Sequence, residues 1–339
     1  MIDEGVTHAC TRGLTARGGR VGLDEVADGV FRIAVHSPFG TGPTNAYVLR
    51  GERVGLFDTG PANAIARDDL LGGLGLLGLS PGDVELLVIS HGHVDHHGLA
   101  DEFPAARVVT GRREVHKLTD LQSHLEQYGS VAGGLLLSWG VPPQTREGIA
   151  KFISGLLRAA TSVPGARPID EGHTLEGFGP PLVVRELPGH TEGLIGLHRP
   201  SDGVLLAGDH LLPTITPNPG LYTLDTPPRS GLADYVISLK RVLELEPTLV
   251  LPGHGDPFGD VAGRVEEVLL HHSERLEVVR AAAGGGQTVF EIAARLFPGV
   301  EPGHVFLAGR EVYGHLQILE QDGRVSCSAV AGPDIFAAA

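Results

Sequence analysis

The run Ser90-His91-Gly92-His93-Val94-Asp95-His96-His97 places three imidazoles and a carboxylate between positions 91 and 96. Neutral imidazoles with a carboxylate are the donor set that a Zn²⁺-type ion prefers. The run follows directly on the apolar stretch Val84-Glu85-Leu86-Leu87-Val88-Ile89. A strand that stops and feeds a tight loop delivers ligands from a rigid base. Three later stretches repeat the pattern: Leu187-Pro188-Gly189-His190, Leu205-Leu206-Ala207-Gly208-Asp209 and Val250-Leu251-Pro252-Gly253-His254. In each, an apolar run stops at a turn carrying one candidate donor. One histidine among 17 says little. Four donor-bearing strand ends in succession point to a shared metal centre.

Such a centre needs a sheet scaffold, and the sequence supplies one. Val30 to Val35 alternates in polarity, and Asn45 to Leu49 with Arg53 to Phe57 flank the turn Arg50-Gly51-Glu52, a hairpin pattern. Glu85 to Ile89 is a continuous apolar strand of buried type. Arg107 to Thr110, Leu182 to Leu187, Gly203 to Ala207 and Thr248 to Leu251 are further strand candidates, with helical patterns near Ala64 to Leu70 and Leu232 to Leu245. This mixture predicts an α/β domain over residues 1–262, with helices covering sheet faces.

Residues 117–165 interrupt the rhythm. Ile149, Phe152, Ile153, Leu156 and Leu157 fall at helical spacing. Gly133-Gly134 and Pro142-Pro143 are expected to separate this helix from an earlier one at Leu118 to Tyr128. A helical insert of this kind either packs or covers the site. From residue 263 to 339 the pattern is helical. It comprises Val265 to Ala283, a second helix opened by the capping box Thr288-Val289-Phe290-Glu291, and a third from Phe306 to Gln321, followed by the strand-like Arg324-Val325-Ser326. That order suggests a small winged-helix-like domain, for packing or for a homodimer contact. The third helix carries Arg310 against Glu311 and Glu320, a poor surface for reading nucleic acid.

Composition narrows the partners. The formal net charge is −15, which argues against nucleic acid or an anionic membrane. The longest leucine-rich stretch, Leu70 to Leu79, is too short and too glycine-rich to span a bilayer. Two distant cysteines, Cys10 and Cys327, form neither a disulfide framework nor a CxxC site. The N-terminal Met1-Ile2-Asp3-Glu4-Gly5 lacks a signal-peptide core. A cytoplasmic protein acting on a small molecule is the expectation.

Over roughly residues 30 to 260 the chain resembles the metallo-β-lactamase superfamily. Its HxHxDH motif is matched by His91, His93, Asp95 and His96, followed by His190, Asp209 and His254. Leu56-Phe57-Asp58-Thr59-Gly60 is similar to the family's early aspartate motif. The resemblance implies an αββα sandwich with two divalent metal ions at one edge. His91, His93 and His190 would hold one ion; Asp95, His96 and His254 would hold the other, with Asp209 shared. Asp58 would orient the ligand loop by hydrogen bonding. Zinc is the expected metal, with manganese or iron as alternatives. Two such ions, typically ~3.5–4 Å apart, make hydroxide available near neutral pH and stabilise a developing oxyanion. Asp95 is then the expected catalytic residue, holding or shuttling a proton. A purely structural zinc site is usually closed by four ligands, whereas seven donors for two ions leave positions open.

Within that family Asp209 disfavours lactam cleavage, because the best-known lactam-cleaving members carry cysteine or no carboxylate at that position. His93 sets the chain apart from the flavodiiron reductases. The short stretch from Asp209 to His254 leaves no room for the clamp domain of RNA-processing nucleases. Two groups remain close. One contains hydroxyacylglutathione-hydrolase-like thioesterases with related lactonases and esterases. The other contains lactamase-like ribonucleases with a C-terminal winged-helix-like domain, whose layout, including Asp209-His210-Leu211-Leu212-Pro213, is the most similar. Leu194 stands where many thioesterase relatives carry histidine, so glutathione-thioester specificity does not carry over directly. The acidic charge disfavours a polyanionic substrate. A dinuclear hydrolase attacking a small thioester, ester or lactone ranks first. A phosphodiesterase or endoribonuclease and a mononuclear-iron persulfide dioxygenase are the alternatives, with a catalytically silent binding protein as a third class. Aromatic residues make up 5 % of the chain, so Tyr128, Trp139 and Phe152 in the insert, with Phe39 and Tyr222 in loops, either pack in the core or are candidates to line an apolar substrate pocket.

Overall fold

The computed structural model describes residues 10–14, 20–156, 159–329 and 332–339. Among these, eight strands lie in chain order in one sheet: β1 (Cys10–Leu14), β2 (Arg20–Ala27), β3 (Val30–Val35), β4 (Thr44–Arg50), β5 (Val54–Phe57), β6 (Val84–Ile89), β7 (Arg107–Gly111) and β8 (Arg167–Ile169). Pairing is antiparallel from β1 to β5 and parallel from β5 to β8. The second sheet contains β9 (Thr174–Leu175), β10 (Leu182–Glu186), β11 (Ile195–Arg199), β12 (Val204–Gly208) and, beyond the small ribbon of β13 (Leu221–Tyr222) and β14 (Arg229–Ser230), β15 (Leu249–Pro252). β15 lies parallel to β12. A last pair, β16 (Val325–Ser328) and β17 (Ile335–Ala338), closes the chain.

The helices are α1 (Ala64–Leu76), α2 (Val94–His97), α3 (Val115–Thr119), α4 (Leu121–Ser138), α5 (Pro143–Leu156), α6 (Leu232–Glu244), α7 (Val261–Ala282), α8 (Val289–Leu296) and α9 (Val305–Gln321). Capping fixes several of their starts. Asn63 Oδ1 accepts the free amides of Ile65 and Ala66 at the head of α1. At α8 the Thr288–Glu291 capping box forms as its sequence predicts.

Strand side chains alternate between faces, and this period of two builds the layers. On β4, Tyr47 and Leu49 face the second sheet, while Ala46 and Val48 face away. On β6, Leu86 and Val88 point inward, and Leu87 and Ile89 outward. Leu206 of β12 and Leu251 of β15 meet the inward set, so one hydrophobic layer lies between the sheets. Leu70 and Leu74 of α1 cover the outer face of the first sheet. Tyr235 and Leu239 of α6, with Val265 and Val268 of α7, cover the outer face of the second against Leu205 and Val250. The result is helix–sheet–sheet–helix. No helix among the described residues is long and apolar enough to cross a membrane.

The insert departs from its sequence reading in one respect. α4 runs straight through Gly133-Gly134, and the break comes at Gly140, ahead of the Pro142-Pro143 pair. Gly140 holds a φ of 75°, the left-handed conformation that ends helices at little cost for glycine. Inside α4 the diglycine lies beside Ala132 and Leu136, whose burial holds the turn despite the ~1 kcal/mol propensity penalty of each glycine.

The insert also shares a core with the C-terminal helices. Leu136 and Trp139 pack with Ile149 of α5, Val279 of α7, Ile292 of α8 and Phe306, Val312 and Leu316 of α9. The Trp139 ring is 1 % exposed, stacked on Phe306 at 5.9 Å and tilted against Tyr313 at 5.3 Å. Trp139→Ala should therefore cost about 3–5 kcal/mol. Thermal and urea unfolding would register this as a lowered midpoint, and a cost under about 1 kcal/mol would refute the shared core.

Candidate metal centre

Strand ends place every candidate ligand. β6 stops at Ile89, and His93 becomes the N-cap of α2, so His91 and His93 leave from the loop and Asp95 and His96 from the helical turn. His190 sits on the turn after β10, Asp209 follows β12, and His254 follows β15. Because β12 and β15 are parallel neighbours, Asp209 and His254 emerge side by side, with Gly253 N–H donating to Gly208 O at 2.8 Å. β4 braces this edge: Asn45 Nδ2 donates to Pro252 O and Gly255 O, and the Tyr47 hydroxyl to Pro252 O. Gly253 is obligatory, since a Cβ there would lie 2.2 Å from Asp209 Oδ1.

Two donor groups result. His91 Nε2 and His190 Nε2 lie 2.9 and 3.0 Å from His93 Nδ1. Asp95, His96 and His254 form the second group, with His254 Nε2 3.4 Å from Asp95 Oδ2. Asp209 Oδ2 stands between the groups, 3.5 Å from both His96 Nε2 and His254 Nε2 and 3.7 Å from His190 Nε2.

Tautomers show what this geometry requires. The outer nitrogen of His190 faces the carbonyl of Asn218, and that of His254 the carbonyl of Pro43, each at 3.0 Å. The outer nitrogen of His96 faces Asp58 Oδ2 at 2.8 Å. These partners only accept, so each outer nitrogen carries the proton and each Nε2 turns a lone pair inward. Ser90 Oγ donates to Asp58 Oδ2 and so accepts from His91 Nδ1, leaving His91 Nε2 in the same state. Inward lone pairs facing two carboxylates repel one another unless a cation sits among them. The residues therefore fit divalent metal ions.

The electrostatics agree. Burial opposes charge on His254, yet Asp209 and Asp95 push its pKa up to about 10, so unless a cation lies between those carboxylates a proton takes the place of the Nε2 lone pair. Burial and the neighbouring His96 and His93 hold His91 well below the ordinary imidazole range. Burial would raise Asp95, but His96 and His254 bring it down to about 2. The carboxylates stay ionised, and the pocket demands positive charge.

Asp58 holds the ligand loop. Its carboxylate accepts Ser90 N–H and Ser90 Oγ–H, both at 2.7 Å, beside the His96 contact. Its own backbone is left-handed, φ 61°, a strain of roughly 1–3 kcal/mol that persists at sites where surroundings over-determine the geometry.

Of the candidate pocket residues, Phe39 packs near the ligand loop with Val94, Leu121 and Ala160. Tyr128 faces Phe306 edge-on at 6.2 Å. Tyr222 is buried under the His190 turn, beside Gly220 and Gly231. Trp139 belongs to the core shared with the C-terminal helices, and this replaces its expected place in a pocket wall. The Phe152 side chain lies outside the described residues. A cavity of about 740 Å³ opens between α4 and α5, lined among others by Leu125, Leu136, Arg146, Ile149 and Ile153. Its Leu121 and Ala160 edge touches Val94 of the ligand loop.

One residue at the centre escapes sequence reading. Glu114 is fully buried, and its Oε2 accepts Gly92 N–H at 2.7 Å while its Oε1 accepts Gly193 N–H at 2.8 Å. It thus ties the loop of His91 and His93 to the loop of His190, and Lys117 Nζ balances it at 2.8 Å. In sequence it sits in Arg112-Arg113-Glu114, which reads as a solvated charged turn. The C-terminal helix also reaches the site. Arg310 of α9 donates to Pro219 O, and Asn218 Nδ2, next in the chain, donates to Leu307 O, so α9 steadies the carbonyl that orients His190.

The metallo-β-lactamase superfamily model matches residues 39–254. The chain belongs to this superfamily. A probable metallo-hydrolase of Bacillus subtilis, YqjP, is 31 % identical over 88 % of the chain and 94 % of its own length. A crystal structure of the metallo-β-lactamase family protein TTHA1429 from Thermus thermophilus superposes with a TM-score of 0.82 at 29 % identity, covering 93 % of this chain and all of that one. A β-lactamase domain protein from Burkholderia ambifaria gives 0.81 at 26 % identity, covering 96 % of each chain. These superfamily relatives support a metal-dependent hydrolase. A shorter match, 34 % identical over 29 % of this chain and 35 % of the relative, is to the acyl-coenzyme A thioesterase MBLAC2 of Gallus gallus.

Proposed function

We propose that the chain is a dinuclear metal-dependent hydrolase acting on the carbonyl of a small-molecule thioester, ester or lactone. The observation that carries this reading is Asp209 Oδ2, placed within 3.7 Å of histidine nitrogens from both donor groups. One carboxylate shared by two sets of inward lone pairs suits a pair of ions. Zinc fits a set of imidazoles and carboxylates best, with manganese and iron as the competing occupants. When bound, two such ions supply a nucleophilic oxygen near neutral pH and Lewis-acid stabilisation of the oxyanion.

The chain's own residues set up the rest. Asp58 and Ser90 fix the rings of His91 and His96. Asp95, whose Oδ2 lies 3.4 Å from His254 Nε2, would take the nucleophile's proton and return it to the leaving group. Val94 and Phe39 give the ligand loop an apolar flank that limits water. The mostly apolar cavity beside that flank is within the ~300–1,000 Å³ range of small-molecule sites and suits an acyl group. The acyl-coenzyme A thioesterase of Gallus gallus, although matched over a short segment, points the same way.

A substrate panel tests the reading. After loading with defined zinc, manganese or iron, the chain should turn over thioester and lactone substrates and act poorly on bis-p-nitrophenyl phosphate. RNA cleavage outpacing acyl turnover would overturn the preference for carbonyl substrates. One iron per chain with persulfide oxidation would overturn the hydrolase itself.

A further inference from the structure

We infer that a second, separate metal site lies between α7 and α9, built from His271, His272 and Glu311 and taking a borderline divalent ion such as Zn²⁺. Donor atoms of these three residues lie within 4.8 Å of one another. His271 and His272 are consecutive on α7, and Glu311 comes from α9, so an ion here would join the two helices.

The hydrogen bonds behind the cluster prepare it. His315 Nδ1 lies 2.7 Å from the carbonyl oxygen of Glu311. A carbonyl only accepts, so that nitrogen carries the proton and His315 Nε2 the lone pair. His315 Nε2 lies 3.3 Å from His272 Nδ1, which therefore donates. In a neutral ring with Nδ1 protonated, the lone pair is left on Nε2. His272 Nε2 and Glu311 Oε1 are both buried, and neither has a hydrogen-bond partner among the described residues. His272 is 2 % and Glu311 8 % exposed. A buried acceptor left unpaired costs about 1–3 kcal/mol, more when charged. Two of them beside a third imidazole make a place where a cation gains most. A ligating histidine whose second nitrogen is oriented by a hydrogen-bonded partner is how metal sites are usually supported.

The surrounding charges permit this. His271 Nε2 is 3.8 Å from Glu311 Oε1, and its side chain, 37 % exposed, gives an ion its entry path. His315 Nδ1 lies 3.8 Å from the same oxygen but is committed to the carbonyl. Among the described residues Arg275 is the cation beside the cluster: its Nε is 4.0 Å from Glu311 Oε1, beyond hydrogen-bond reach, and its guanidinium lies over the Phe297 ring at 5.1 Å. An ion with donors at ~2.0–2.2 Å would draw the three ligands inward and leave Arg275 at the rim. The site backs onto the catalytic layer. His272 meets Tyr235 edge-on at 5.7 Å, and Tyr235 meets His210, the neighbour of Asp209, at 5.2 Å. It therefore anchors α7 and α9 behind the centre without touching its ligands.

Zinc titration of the metal-stripped, full-length chain against a chromogenic chelator tests the site apart from catalysis. Wild type should take up one equivalent more than either His271→Ala or Glu311→Gln. His271→Ala removes a partly exposed side chain, and circular dichroism would verify that its fold is retained. As an independent arm, a chain with His91→Ala, His96→Ala, His190→Ala and His254→Ala, which strips histidines from both donor groups of the main centre, should still bind one equivalent and lose it when His271→Ala is added. Equal uptake by wild type and both variants, or an extra ion that survives His271→Ala, would overturn the proposal whatever the main centre binds or hydrolyses.

Discussion

Asp209→Asn should lower kcat/KM by roughly 10³-fold or more, equivalent to about 4 kcal/mol of lost transition-state stabilisation. The substitution keeps the shape of the side chain and removes its charge. In the native site Asp209 is buried, which raises a carboxyl pKa, yet His254 and His96 hold it well below the usual range, so the group is ionised throughout the working pH. Asparagine in its place offers one amide oxygen where the native residue shares a charged carboxylate oxygen. It also sets an NH₂ among the nitrogens of His96, His190 and His254. Metal content should fall with activity. A variant that kept activity within about tenfold, with unchanged metal content, would remove Asp209 from the centre.

Glu114→Gln should produce the second-largest loss, and one that has a different signature. Both carboxylate oxygens accept amides from the ligand loops, at Gly92 and Gly193. Glutamine presents a donor to one of those amides and leaves Lys117 without its partner. The loops should loosen, weakening metal affinity by about 10–100-fold. The pH dependence follows from the carboxyl itself. Burial raises its pKa, but Lys117 and the two amides bring it from the ordinary 4.5 to about 2. A carboxyl depressed on folding stabilises the native state above its unfolded pKa, and that stability disappears as the pH falls through the folded value. A shift of this size corresponds to about 3 kcal/mol at neutral pH. Wild type should therefore lose stability between about pH 4.5 and 2, and Glu114→Gln should start lower and lose less across that window. Urea midpoints measured from pH 7 to 2.5 would check this, and parallel acid limbs would contradict it.

Most of the sandwich can be read from the sequence because its inner strands carry unbroken apolar runs. Residues 86–89 of β6 and 249–252 of β15 are examples, and the ends of those strands carry the donors. β2 and β11 could not be read this way. Arg20–Ala27 carries Gly22, Asp24 and Glu25, and Ile195–Arg199 carries Gly196 and His198. Sheet neighbours, not local pattern, make these segments strands, as β11 shows by lying between β10 and β12. The convergence of His91, His93, Asp95, His96, His190, Asp209 and His254, which the family resemblance implies, is visible as spacing along the chain. The support around them is not. Glu114 looks solvated until the loops of Gly92 and Gly193 fold over it. Trp139 reads as core or as pocket lining until α9 packs on it and makes it core. Both depend on contacts between segments far apart in sequence, which no local window records.

In the proposed centre Asp209 stands between two metal ions, and the outer nitrogens of His91, His96, His190 and His254 are fixed by Ser90, Asp58 and backbone carbonyls. Crystals of the metal-loaded chain, with anomalous data collected on both sides of the metal absorption edge, test it most directly. Two peaks about 3.5–4 Å apart are expected, one beside His91, His93 and His190 and the other beside Asp95, His96 and His254, with Asp209 touching both. A lone peak, or peaks away from Asp209 in a fully active sample, would contradict it.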